Sequence, residues 1–197
     1  MNFLNLITYY IFFLFSIVGY GLFFIKFFRL KLEKNELALS GIFGSIFLVL
    51  ISFTTNIFLA HGFIHNIFLH TLGIFLFSIY YKDFFPKKFI KRKYLYGLFI
   101  FIILFFTLNL MGKTHDDFGW YHLPYTLNLS QQKLQFGLGH FNHGFKTHSS
   151  IFYLNSLFYL PYIKFYSFNF GQQFISLFSI LFFFKKIFKN ESKLDSL

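Results

Sequence analysis

Phe3-Leu-Asn-Leu-Ile-Thr-Tyr-Tyr-Ile-Phe-Phe-Leu-Phe-Ser-Ile-Val-Gly-Tyr-Gly-Leu-Phe-Phe-Ile25 decides the fold class: 23 consecutive positions carry no charged side chain. A helix rises about 1.5 Å per residue, so roughly 20 apolar residues cross a hydrocarbon layer of about 30 Å. The stretch therefore reads as a membrane-spanning helix. No basic residue precedes it and no Ala-x-Ala type site follows, so it reads as a retained span and not a cleaved signal peptide. Residues 37–59, 63–81 and 94–111 repeat the pattern, and Gly41 and Gly44 give the second a small-residue packing face. Two further apolar stretches, 150–163 and 168–184, follow a polar interval.

Composition agrees. Of 197 residues, 56% are apolar and 13% charged, against about a quarter charged in an average soluble domain. With 38 Phe and a mean hydropathy of +0.57, the chain has more apolar surface than a core of this size can hide, which excludes a soluble globular domain. The absence of Cys removes disulfides, thiolate zinc sites and Cys nucleophiles, so any chemistry falls to oxygen and imidazole. The net charge of +11 lies in short runs between apolar segments and not on a basic face, so no nucleic-acid partner is expected.

Those runs orient the chain. Lys26, Arg29, Lys31 and Lys34 occupy the first connection, and Lys82, Lys87, Lys88, Lys91, Arg92 and Lys93 the third, whereas the second carries no Lys or Arg. The positive-inside rule makes the two basic connections cytoplasmic and puts the loop after the fourth span outside. The expected architecture is an all-α polytopic protein of about five to six spans. Four lie in 1–112, an extracytoplasmic loop with an interfacial amphipathic helix follows in 113–148, one or two more membrane helices fill 149–184, and 185–197 is a basic tail. The tail wants the cytoplasm, which needs one crossing after the loop, while two apolar stretches suggest two. Either 150–163 is re-entrant or interfacial, or the tail breaks the rule.

The outer loop holds the polar chemistry. Within 112–147 lie Lys113, His115, Asp116, Asp117, Trp120, Tyr121, His122, His140, His143 and Lys146, with His148 just beyond. Asp116 and Asp117 are the only carboxylates outside the basic connections and the tail, and a charge-poor membrane chain needs a reason for them. Trp120, Tyr121 and Tyr125 read as headgroup-level anchors. Leu123, Leu127 and Leu134 fall on one helical face and Thr126, Ser130 and Lys133 on the opposite one, with Pro124 in the first turn, which predicts a flat amphipathic helix. In Gly137-Leu-Gly-His-Phe-Asn-His-Gly144 the glycines permit tight turns that could present amides to an anion, though the spacing is not that of a nucleotide fingerprint. His61, His65 and His70 read as interfacial histidines. An iron site of the desaturase kind would need His boxes more tightly clustered and cytoplasmic.

The arrangement of spans, outer-face Asp, aromatic-His and flat helix resembles the GT-C superfamily of integral membrane glycosyltransferases, here in His115-Asp-Asp-Phe-Gly-Trp-Tyr-His-Leu-Pro124. More narrowly, the chain is similar to a family of uncharacterised bacterial multi-spanning proteins with an Asp-x-Gly-x-Tyr-His-Leu motif. The matching residues are Asp117-Phe-Gly-Trp-Tyr-His-Leu123, then Gly137-Leu-Gly-His-Phe-Asn-His143 and Phe145-Lys-Thr-His-Ser-Ser-Ile151. The likeness covers 113–161. It implies transfer of a sugar from a polyprenyl-phosphate donor on the outer face of a bacterial plasma membrane. Asp117 would be the base or metal-orienting carboxylate and Asp116 the second candidate. His122, His140, His143 and Lys146 would contact phosphate, and a divalent cation such as Mg or Mn, if used, would sit on Asp116 and Asp117. Active members of the superfamily continue with many more spans, so the resemblance is to an N-terminal portion, in a truncated or inactive form or as part of a split enzyme. The alternative is a non-catalytic multi-pass protein acting as an assembly or lipid-binding partner through the same loop.

Overall fold

A computed structural model describes residues 3–31, 37–84, 92–111, 116–146 and 149–194. Among them run seven α-helices and no strand: α1 (Phe3–Phe27), α2 (Leu37–Asn56), α3 (Phe63–Phe84), α4 (Arg92–Met111), α5 (Leu123–Gln131), α6 (Ser150–Leu157) and α7 (Phe170–Leu194). Three of these helices, α1, α2 and α3, are long and apolar enough to cross a membrane, and they match the first three expected spans to within three residues. In α4 the apolar helical stretch is the shorter Phe99–Leu108.

Helix α1 is the hub, packed between α2 and α3. Small residues let the backbones meet. A Cβ added at Gly44 would collide with the Ile17 carbonyl, one at Gly21 with the Ser40 carbonyl, and one at Gly19 with the Gly73 carbonyl. Such close approach supplies the dispersion contacts that hold helices together where lipid removes the hydrophobic drive. The expected small-residue face of α2 is thus divided. Gly44 meets α1, while Gly41 lies under the Phe178 ring of α7. Helix α1 ends in paired bonds, Leu30 N–H to the Ile25 carbonyl (3.0 Å) and Arg29 N–H to that of Lys26 (3.2 Å), with Arg29 left-handed at φ 52°. This is a Schellman cap.

The 150–163 stretch is helical for only eight residues, about 12 Å of rise, too short to cross a bilayer. Residues 152–157 are all buried, against α2, α5 and α7. A helix ending inside a protein leaves carbonyls without partners, and side chains supply them here. The Asn66 amide lies 2.9 Å from the carbonyls of Ser156 and Tyr159, His70 Nε2 is 3.0 Å from that of Leu157, and the Ser167 hydroxyl donates to that of Phe158 at 2.8 Å. A carbonyl only accepts, so His70 carries its proton on Nε2 and its Nδ1 accepts from the Ser16 hydroxyl at 2.9 Å. The Gly171 N–H donates to Asn155 Oδ1 at 3.0 Å, tying the start of α7 to α6.

Two expectations are corrected. His61 and His70 are fully buried and hydrogen-bonded, not interfacial. His61 Nδ1 is 2.6 Å from Ser156 Oγ and its Nε2 3.1 Å from the Ser52 carbonyl. Helix α5 also presents the face opposite to the one expected: Tyr125, Thr126, Leu129 and Ser130 are buried, while Leu123 and Leu127 are half-buried. Thr126 and Ser130 tolerate this because their hydroxyls donate to the carbonyls of His122 and Thr126 one turn back, at 2.7 and 2.9 Å. Leu134 lies beyond the helix end.

Candidate functional site

Helix α5 is preceded by a π-helical turn, Phe118–His122, closed by the Leu123 N–H on the Phe118 carbonyl. Such turns often mark functional positions because they re-aim side chains out of the α register. Asp117 caps it, half-buried, and accepts the Tyr121 hydroxyl at Oδ2 (3.2 Å). Burial first, then this bond and the carboxylate charge, push the Tyr121 hydroxyl pKa up, so it stays a donor. Asp116 is exposed in the preceding turn. The His122 ring lies 4.9 Å from that of Phe152 on α6 and 4.5 Å from that of Tyr121.

The glycine-rich segment turns twice. Gly137 is left-handed at φ 86°, and short 3-10 turns follow at Leu138–His140 and His143–Lys146. The second turn lies against the π-turn, where a Cβ added at Gly144 would collide with the Tyr121 side chain. Gly139 lies against the Lys146 stem in the same way, which brings Lys146 back beside His140.

These turns wall a cavity of about 590 Å³. Its floor is aromatic: Phe53 of α2 stacks on Tyr153 at 4.1 Å and Tyr125 on Phe145 at 5.1 Å. Burial and a hydrogen bond with Tyr153 raise the Tyr125 hydroxyl above its ordinary range, so it remains neutral. Asn128, Gln135, His140 and Lys146 supply the cavity's polar lining.

Four of the six candidate residues therefore fall into two neighbouring groups, and two belong to neither. His140 and Lys146 line the cavity; Asp117 and His122 belong to the π-turn beside it; Asp116 and His143 are exposed. The cavity wall includes neither carboxylate. Among the described residues no three His, Asp or Glu converge as a metal site, so the Asp116–Asp117 pair does not fit a bound cation on its own. His115 and His148 lie outside the described residues. Of the expected anchors, Trp120 is 78% exposed, Tyr121 half-buried and Tyr125 buried, so only Trp120 is free for a headgroup layer. Sequence reasoning missed the Asp117–Tyr121 pair, which its i, i+4 spacing does signal. It also missed Phe53 and Tyr153, which arrive from distant helices without any local signal.

Compared with known proteins, the chain matches no family model, no curated protein and no solved structure. What the fold defines is an all-helical protein with three helices suited to a membrane and a polar, aromatic-floored site at one end of them.

Proposed function

We propose that the chain is a GT-C-like membrane glycosyltransferase module that takes a sugar from a polyprenyl-phosphate donor on the outer face of the membrane. The observation that carries this reading is the Asp117–Tyr121 pair beside an aromatic-floored cavity lined by His140 and Lys146. Aromatic faces suit an isoprenoid chain or the apolar face of a sugar. Lys146, His140 and His143 suit the phosphate, on which negative charge grows as the anomeric C–O bond breaks. Asp117 takes the proton of the acceptor hydroxyl as that oxygen attacks the anomeric carbon, and Tyr121 holds the carboxylate in place.

The distribution of Lys and Arg along the chain supports the same reading. Counting α4 and α7 as spans beside α1–α3, and α6 as a helix that does not cross, gives five crossings in this reading. An outer N-terminus then brings Lys185, Lys186, Lys189 and Lys193 to the cytoplasm, and the strain between the basic tail and the two late apolar stretches disappears.

A second reading, a non-catalytic lipid-binding or assembly partner, is favoured by one observation: Asp117 lies outside the cavity wall. Membranes carrying the chain, Asp117→Ala or Asp116→Ala, supplied with radiolabelled polyprenyl-phosphate sugars, separate the two. The enzyme reading expects transfer to be lost with Asp117→Ala and retained in part with Asp116→Ala. Undiminished transfer by both variants, or none by the unaltered chain beside retained lipid binding, overturns it.

A further inference from the structure

We propose that residues 132–146 dip into the outer leaflet through Phe136 and Phe141, so that the cavity behind them opens sideways to lipid and not upward to water. This rests on the reading above that the loop lies on the outer face of a membrane. Phe136 and Phe141 are 93% and 90% exposed, the two most exposed large apolar side chains among the described residues. They bracket the Gly137 turn, and Phe136 itself lines the cavity. Two large rings left in water on so short a loop indicate a surface waiting for an apolar partner.

The height of the loop identifies that partner. Its start is bonded to the last residue of α2: the Leu134 N–H donates to the Asn56 carbonyl at 2.7 Å, and the Asn56 amide reaches the Gln132 carbonyl at 3.3 Å. The next residues of that connection, Ile57, Phe58 and Leu59, are 50%, 75% and 57% exposed. The His61 N–H donates to the Leu129 carbonyl at 2.9 Å, so the connection and the loop are held side by side. A helix that leaves the hydrocarbon at Asn56 puts both at headgroup level, where aromatic rings favour the interface.

Charge points the same way. No Asp or Glu occurs between Asp117 and Glu191, and the loop carries Lys133 and Lys146, both exposed. Apolar rings flanked by basic side chains suit a surface of anionic lipid headgroups. The rings then belong to the leaflet and Lys133 to the headgroups above it, while Lys146 stays at the cavity. A lipid-linked substrate then reaches the cavity without leaving the membrane.

The test uses the full chain in vesicles of phosphatidylethanolamine and phosphatidylglycerol, with Trp120→Phe removing the single native Trp. Phe136→Trp and Phe141→Trp are introduced separately, and Phe75→Trp on the exposed face of α3 serves as the membrane control. Lipids brominated near the headgroup end of their chains are expected to quench the indole emission of the Phe136→Trp and Phe141→Trp chains about twofold or more, and lipids brominated near the chain ends that of the Phe75→Trp control, while aqueous iodide leaves all three little changed. Quenching by iodide and not by bromolipid at both positions, with the control quenched by bromolipid, overturns the inference and leaves the membrane reading standing. Blue-shifted emission that neither agent quenches assigns the rings to a protein surface and overturns it too. An unquenched control removes the membrane reading and the inference together. None of these outcomes depends on sugar transfer.

Discussion

The Asn66 side-chain amide lies 2.9 Å from the Ser156 carbonyl, joining the start of α3 to the last turn of a helix 90 positions further along. It is equally close to the carbonyls of His61 and Tyr159, so its two N–H groups are shared among three carbonyls, one before α3 and two at the end of α6. This junction lets α6 end inside the protein and places Phe152 and Tyr153 under the candidate site.

Asn66→Ala removes those donors and leaves buried carbonyls unpaired, a cost of about 1–3 kcal/mol for each acceptor not rescued by water. Thermal unfolding in detergent is expected to show a clear loss for Asn66→Ala and a much smaller one for Ile64→Ala, whose side chain is 81% exposed. Equal effects would mean that α6 is not held from α3.

Gly44→Ala and Gly21→Ala each drive a methyl into a facing backbone carbonyl and are expected to destabilise by about 1–3 kcal/mol. Gly119→Ala meets nothing within 4 Å and is expected to be neutral. The same unfolding measurement distinguishes them, and a neutral Gly44→Ala would contradict the close packing of α1 on α2.

Burial lowers the His61 pKa from its ordinary 6.5 to about 3; the nearby His65 adds to the effect and the bond to the Ser52 carbonyl opposes it. Between those values the unfolded chain takes up a proton that the folded chain refuses. Stability from this group is complete above pH 6.5 and falls as the pH drops toward 3. The slope approaches about 1.4 kcal/mol per pH unit in the middle of that window. His61→Gln should flatten the dependence of unfolding temperature on pH, and an unchanged slope would locate it in another group.

Tyr121→Phe removes the hydroxyl on Asp117 and nothing else the site uses. Under the proposed transferase reading, loss of a hydrogen bond worth about 0.5–1.5 kcal/mol in the transition state predicts a fall of roughly two- to tenfold in kcat with little change in KM. A change in KM alone would assign Tyr121 to binding.

Single Cys residues at Lys88 and Gln132 stand on a Cys-free background. An impermeant thiol reagent applied to intact cells is expected to label the Gln132→Cys chain and spare Lys88→Cys until the membrane is opened. Labelling of both from one side would refute the orientation.

Helices α1–α4 were legible because a run such as 3–25 has few other solutions, and their ends fall within a few residues of the apolar boundaries, whereas α7 continues past the expected boundary at 184 to Leu194. Hydropathy could not separate 150–163 from a span, since Asn66 and His70 enter it as hydrogen bonds from α3. The face of α5 was misread for a related reason. Thr126 and Ser130 count as polar by type, yet each satisfies its hydroxyl on its own helix and is free to be buried. At the site, Asp117, His140 and Lys146 stood out by type in a charge-poor chain, whereas Phe53 and Tyr153 look like any other aromatic residues of a membrane helix until the fold brings them together.

The cavity beneath residues 136–146 is proposed to hold a lipid-linked phosphate. Photo-crosslinking of the full chain in membranes with a diazirine-bearing polyprenyl phosphate addresses it directly. Adducts are expected within 136–146 and at Tyr125 or Tyr153, competed by unlabelled polyprenyl phosphate and reduced severalfold when His140→Ala and Lys146→Ala are combined. Adducts spread over the exposed face of α3, indifferent to competitor and to both substitutions, would contradict it.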